Sequence, residues 1–157
     1  MIAQFSFVII KPDALERGIA GQIITRIENA YLRIGGMQTR HKSRKWCELH
    51  YSHLVSENFF DTLVEFMTAR PVIGFAAAGP NAIQRMRNLV GPTNPLEAPA
   101  GTIRGDYGHF PPMYNCIHAS DSEEAAAREA TLFSNITTDL SYEEIKKHAS
   151  PALPIEG

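Results

Sequence analysis

The chain of 157 residues is 44% hydrophobic and 20% charged, and fifteen lysines and arginines against seventeen acids give a formal charge of -2. That is enough chain for one globular domain with its own core. It leaves no excess positive charge for general capture of nucleic acid or anionic lipid. The two cysteines, Cys47 and Cys116, are too few for a disulfide framework and do not form a CxxC half-site, so they read as free thiols in a reducing compartment. The opening MIAQFSFVII has no basic region ahead of its apolar run, and no stretch reaches the roughly 18 apolar residues that cross a bilayer. The expectation is a cytoplasmic, single-domain protein with no membrane segment.

In chain order, Phe5 to Ile10 is a nearly continuous apolar run rich in β-branched residues, which predicts a buried central strand ended by Lys11-Pro12-Asp13. From Arg17 to Leu32, Ile19, Ile23, Ile24, Ile27 and Tyr31 fall at helical spacing. Gly35-Gly36 is expected to close that helix, with a second strand from Met37 to Arg40. Helical stretches around Cys47–Ser56 and Phe59–Thr68 lead to a third strand, Val72–Ala77, and a helix over Ala82–Val90. Gly91 to Gly108 holds three of the ten prolines and four of the eleven glycines with neither period, the pattern of a long functional loop. A short strand is expected over Asn115–Ala119, and Ser120-Asp121-Ser122-Glu123 supplies cap and first-turn acids for a helix over Glu124–Phe133. A last short helix over Leu140–His148 and a loose tail over Pro151–Gly157 complete the reading. The alternation of strands and helices predicts an α+β sandwich with helices on a small sheet.

The chain contains no GxxxxGK[ST] and no GxGxxG, which removes the P-loop and the simplest dinucleotide signature. GxxG occurs at Gly18–Gly21 and Gly105–Gly108, but Gly18–Gly21 lies at a helix start without basic neighbours, unlike an RNA clamp. The Gly-rich loop and its flank do carry Arg87, Thr93, Thr102 and Arg104, and Lys11 follows the first strand. Guanidinium groups and hydroxyls on rigid loops suit multidentate phosphate binding. His118, at the end of a short strand before a capped helix, can be held rigidly. An imidazole is largely neutral at pH 7 and nucleophilic through either nitrogen.

Phe7-Val8-Ile9-Ile10-Lys11-Pro12-Asp13, Gly91-Pro92-Thr93-Asn94-Pro95, Gly101-Thr102-Ile103-Arg104-Gly105-Asp106 and Asn115-Cys116-Ile117-His118-Ala119-Ser120-Asp121-Ser122 together resemble nucleoside diphosphate kinase. The likeness runs in order from about residue 3 to 134 and includes Phe59-Phe60 and Arg70-Pro71-Val72. It implies a ferredoxin-like α+β sandwich, a four-stranded antiparallel sheet with a βαββαβ core. It also implies a catalytic domain over residues 1–135 and a C-terminal extension over 136–157. The implied reaction moves the γ-phosphoryl group of a nucleoside triphosphate to a nucleoside diphosphate by a ping-pong route through phosphohistidine, with low base specificity.

By the same resemblance His118 is the nucleophile, attacking through Nδ1 while Nε2–H is donated to a backbone carbonyl. Glu129 is the acid beside it and Ser120 the hydroxyl that steadies that acid. Arg87, Arg104 and Thr93 grip phosphates, Lys11 reaches the sugar and the transferred group, and Tyr51 is the partner of that lysine. Asn115 binds the ribose hydroxyl, and the base stacks on Phe59. Mg²⁺ is expected to arrive with the nucleotide, without a dedicated protein cage. Family members are homo-oligomers, tetramers or hexamers, and Pro95 in the loop of trimer contacts favours the hexamer.

The chain departs from the family over 107–114, one residue longer than usual, with Tyr114 where Arg or Lys is common; the base contact of that stretch is left without a residue. His50 and His53 sit three apart on a helix at a spacing that could bind metal, but with no further ligand set evident they read as surface histidines; Trp46 reads as packing, and the Asn135-Ile136-Thr137 sequon as unused. Two rivals stand beside the enzyme. A silent assembly homologue would have lost His118, an arginine or Lys11. A ferredoxin-like nucleic-acid module would show aromatics on an open sheet face with a basic surround.

Overall fold

A computed structural model of the chain describes residues 4–134. Its elements are β1 (Gln4–Ile10), α1 (Pro12–Glu16), α2 (Ala20–Asn29), β2 (Arg33–Arg40), α3 (Arg44–His50), α4 (Phe60–Thr68), β3 (Val72–Gly79), α5 (Ala82–Val90), α6 (Ile103–Tyr107), β4 (Ile117–Ala119) and α7 (Glu123–Ser134). The expected last helix, the tail and the sequon lie outside the described residues.

The four strands form one sheet in the order β2-β3-β1-β4, with antiparallel pairings throughout. β1 is central, and the reason for its unbroken apolar run is that both of its faces are covered. Val8 and Ile10 pack with Ile23 and Ile27 of α2, Ala82, Met86 and Val90 of α5, and Ile103 of α6. Phe7 and Ile9 pack on the other face with Trp46 and Cys47 of α3, Leu63, Val64 and Met67 of α4, and Ala126 and Phe133 of α7. Each large side chain buried this way contributes about 1.5–3 kcal/mol. The helices cover both faces of β1, whereas the edge strand β2 is largely exposed.

The architecture is the expected ferredoxin-like α+β sandwich, and several boundaries differ for local reasons. The helix expected over Arg17–Leu32 is the shorter α2, and a five-residue α1 that was not expected precedes it; Gly18, at φ +67°, separates the two. Gly35-Gly36 closes no helix. Both lie inside β2, where the register against β3 shifts between Gly35 and Gln38 and Gly36 takes φ +62°. Paired glycines there form an irregularity of the bulge kind. The expected helix over Cys47–Ser56 starts earlier, at Arg44, because Ser43 caps it by accepting the Trp46 N–H, and it ends at His50. Within the expected irregular loop, Thr102 caps the five-residue α6 by accepting the Gly105 N–H. Gly105 is required there: a Cβ would lie 1.9 Å from the Pro99 carbonyl oxygen.

Candidate active site

β4 is shorter than expected because the chain turns sharply just before it. Cys116 takes φ +69°, and the Ile117 N–H donates to the Asn115 carbonyl at 2.8 Å, a γ-turn. Two contacts hold this strained geometry: the Cys116 carbonyl accepts the Lys11 N–H at 2.8 Å, and the Cys116 N–H donates to Asp13 Oδ2 at 3.2 Å. Register then aims the next residues. His118 pairs with Ile9, so its ring lies on the Ile9 face of the sheet, toward α3 and α7.

On that face a chain of polar contacts runs inward from the histidine. His118 Nε2 lies 2.8 Å from Glu129 Oε2, and the same oxygen accepts the Ser120 hydroxyl at 2.6 Å. Ser120 Oγ in turn accepts the Phe7 N–H of β1 at 3.0 Å. Glu129 is buried on the face of α7 that also buries Ala126 and Phe133. Burial raises the affinity of its carboxyl for a proton, yet bonds from His118 and Ser120 and the charge of Arg128 carry it below the ordinary range. A carboxylate at Nε2 selects the tautomer with hydrogen there and leaves the Nδ1 lone pair available. The resemblance implied a backbone carbonyl as the Nε2 partner; the structure corrects that to Glu129.

His118 opens on a cleft of about 1440 Å³ whose lining includes nine of the ten sequence-predicted site residues: Lys11, Tyr51, Phe59, Arg87, Thr93, Arg104, Asn115, His118 and Glu129. Ser120 stands behind Glu129. Lys11 Nζ donates to Asn115 Oδ1 at 2.8 Å, and Asn115 Nδ2 donates to the Thr93 carbonyl at 2.9 Å. Burial, then the charge of Arg104, lowers Lys11 to about 8. Arg104 donates to the carbonyls of Gly91 at 3.1 Å and Ile117 at 2.6 Å, while its Nε is buried without a partner among the described residues. The Tyr51 hydroxyl is likewise buried without a partner among the described residues, so it does not bond Lys11 as the resemblance implied; Asn115 takes that place. Burial pushes the Tyr51 phenol well above its usual value. Arg87, Thr93 and Phe59 stand exposed on the rim, Phe59 at 47%.

Lys11, Arg87, Arg104 and Arg128 line the cleft against Asp121 and Glu129, so a chain of net charge -2 presents a positive pocket. Such a field suits phosphate oxygens. The lengthened segment places Pro111, Pro112 and Met113 on the cleft wall. Tyr114 is not part of the cleft lining; its ring is stacked near His109 at 5.6 Å and edge-on to Phe66 at 5.0 Å.

His50 is the main residue misread from sequence. It is 4% exposed, not a surface group, and its ring stacks on Trp46 at 4.5 Å and meets His118 edge-on at 5.0 Å. The i, i+4 spacing of Trp46 and His50, with Cys47 beside them, was the available signal of a buried stripe. Trp46 is packing, as expected. Asp13, which braces the γ-turn, and Arg128, which faces Glu129, also went unread as site residues.

The model of the family described as nucleoside diphosphate kinase matches residues 4–137. The nucleoside diphosphate kinase of Archaeoglobus fulgidus is 44% identical over 128 residues, 82% of this chain and 84% of its own. That of Listeria monocytogenes is 42% identical over 139 residues, 88% of this chain and 94% of its own. Among solved structures, the Encephalitozoon cuniculi enzyme superposes with a TM-score of 0.81 at 36% identity, covering 93% of this chain and 99% of its own. The halophilic enzyme of Halobacterium salinarum in complex with CDP also gives 0.81 at 36% identity, covering 90% and 93%. With His118, its carboxylate and a positive cleft assembled on this fold, the chain belongs to the nucleoside diphosphate kinase family, enzymes that transfer phosphoryl groups between nucleotides.

Proposed function

We propose that this enzyme moves the γ-phosphoryl group of a nucleoside triphosphate, typically ATP, to a nucleoside or deoxynucleoside diphosphate by a ping-pong route through phosphorylated His118, with low base specificity. The observation that carries this reading is the His118–Glu129–Ser120 chain, which holds Nε2 and leaves Nδ1 for a cleft lined by cations. In the first half-reaction the Nδ1 lone pair attacks the γ-phosphorus and the bond to the β–γ bridging oxygen breaks, releasing the diphosphate. The ring becomes cationic as it is phosphorylated, and the Glu129 carboxylate, kept ionised, stabilises it. A second diphosphate then takes the phosphoryl group back from Nδ1. Phosphoryl transfer needs chiefly positioning and charge neutralisation, which Arg87, Arg104, Thr93 and Lys11 supply.

Asn115 and Lys11 form one unit that meets the ribose, and Phe59 offers a π-face to any base. A wall of Pro111, Pro112 and Met113 carries no side-chain group that distinguishes one base from another. Mg²⁺ fits as a cation carried by the phosphates. Of the two cleft acids, Glu129 is already engaged by His118 and Ser120, so no carboxylate cage is built. When bound, the ion neutralises phosphate charge. Residues 1–135 act as the catalytic unit with 136–157 as an extension, and the enzyme works in the cytoplasm, in keeping with a cysteine content of only two. It assembles as a homo-oligomer, hexamer before tetramer, a reading that light scattering checks.

The test is incubation with γ-labelled ATP and Mg²⁺ beside a His118→Ala variant. Acid-labile label on the wild type alone, discharged by GDP and by dCDP, is the expected result. Label on both proteins or on neither overturns the assignment.

A further inference from the structure

Packing explains the place of His50 but not its chemistry. Wedged between the face of Trp46 and the edges of Tyr51 and His118, a phenylalanine would fill the same space. The imidazole instead carries a buried Nδ1 with no hydrogen-bond partner among the described residues, at a cost of about 1–3 kcal/mol. One ring nitrogen of His50, one of His118 and a carboxylate oxygen of Glu129 all lie within 4.8 Å of one another. We propose that His50, His118 and Glu129 form a site for a borderline-soft divalent cation, Zn²⁺ being the type, and that its occupancy withholds the nucleophile. The inhibitory consequence rests on the reading of His118 given above; the binding does not.

Two imidazoles and a carboxylate are the donor set that selects such ions over Mg²⁺, which prefers oxygen and keeps its waters. Bonds of about 2.0–2.1 Å at tetrahedral angles put ligand atoms roughly 3.4 Å apart, so a spread of at most 4.8 Å closes by about 1.5 Å. His118, at 22% exposed on the cleft wall, has room to make that movement, and His50 is held by its ring contacts. The fourth position faces the cleft, open to water or a phosphate oxygen. Lys11 and Arg104 on the same wall oppose a cation and keep the occupancy reversible. Binding at Nδ1 of His118 blocks attack outright; binding at Nε2 withdraws electron density and breaks the hold of Glu129.

The experiment titrates Co²⁺ and Zn²⁺ into the purified protein, wild type, His118→Ala and His50→Gln, and into wild type first phosphorylated with ATP and freed of nucleotide. The wild type should bind one ion per chain with the visible absorption of Co²⁺ in a nitrogen and oxygen site. Affinity should fall at least tenfold in each variant and in the phosphoprotein. In excess Mg²⁺, saturating Zn²⁺ should lower transfer at least tenfold, restored by EDTA. Absence of saturable binding, or equal binding by folded His118→Ala, overturns the proposal, and His118→Ala decides it if His50→Gln does not fold. A metal-free protein without transfer activity would instead refute the proposed reaction, and the Co²⁺ titration would still decide this site.

Discussion

Lys11→Met should abolish activity while leaving the unliganded protein as stable as wild type or more so. Lys11 is 7% exposed, and burial followed by the charge of Arg104 lowers it from the ordinary 10.5 to about 8. At 1.36 kcal/mol per tenfold change in proton affinity, holding the proton in the folded state costs about 3 kcal/mol at neutral pH. Methionine removes that cost and forfeits the bond to Asn115 Oδ1, whose loss is worth about 1–3 kcal/mol. The net is a variant between neutral and about 2 kcal/mol more stable at pH 7, with transfer reduced at least ~100-fold for want of the cation. The pH dependence gives the sharper signature. Between about 8 and 10.5 the unfolded chain binds the Lys11 proton and the folded chain has released it, so wild-type stability gains with rising pH. That gain is fully present above 10.5 and lost as pH falls through 8. Cys116, pushed up to about 12 by burial, and the raised Tyr51 work in the opposite direction, so the wild-type curve alone hides the effect. Burial is the leading cause of both shifts and is left in place by the substitution, so most of each drops out when urea-unfolding free energies of the variant are subtracted from those of wild type at each pH. A flat difference from pH 7 to 10.5, or a Met variant less stable by more than about 1 kcal/mol at pH 7, would refute the reasoning.

Three further outcomes are expected. Gly105→Ala sets a Cβ 1.9 Å from the Pro99 carbonyl oxygen; forced displacement of the α6 cap should cost about 2–3 kcal/mol in thermal melts and weaken nucleotide binding through the neighbouring Arg104. Glu129→Gln keeps shape but withdraws the charge at Nε2, so the turnover number should fall about 10- to 100-fold with KM little changed, measured by coupled steady-state assay. Phe59→Ala, at a half-exposed rim position, should leave stability within about 0.5 kcal/mol and raise KM about tenfold for purine and pyrimidine substrates alike.

Chemistry was more legible in the sequence than backbone detail, and particular residues show why. The apolar run of β1, the i, i+4, i+8 spacing of Ala82, Met86 and Val90 in α5 and the acids at the start of α7 each report burial or capping, which are local properties of sequence. Gly35-Gly36 misled because a glycine pair is compatible with a helix stop and with a strand irregularity, and only pairing with β3 chooses between them. The five-residue α6 is too short for a period to register and depends on the Thr102 cap. At the site, every predicted group converged on one cleft or directly behind it, yet the pairings did not follow. Lys11 found Asn115 and not Tyr51, and His118 found Glu129 and not a carbonyl, because partners 104 and 11 residues apart are fixed by register.

The same register explains why the site is expensive to maintain. Of the six buried side-chain atoms left without a hydrogen bond among the described residues, three belong to His50, Tyr51 and Arg104, all on the cleft wall. The strained γ-turn at Cys116 lies directly before β4, and the depressed Lys11 follows β1 beside it. A core selected for stability alone would satisfy or delete these groups. The charges of Arg104 and Lys11 are instead directed where phosphate oxygens are proposed to bind, and the His50 nitrogen toward the proposed cation; the helices packed on both faces of β1 supply the stability that offsets these groups. Binding of nucleotide should therefore raise the melting temperature, because the affinity that sets the shift includes the relief of costs already built into the folded state.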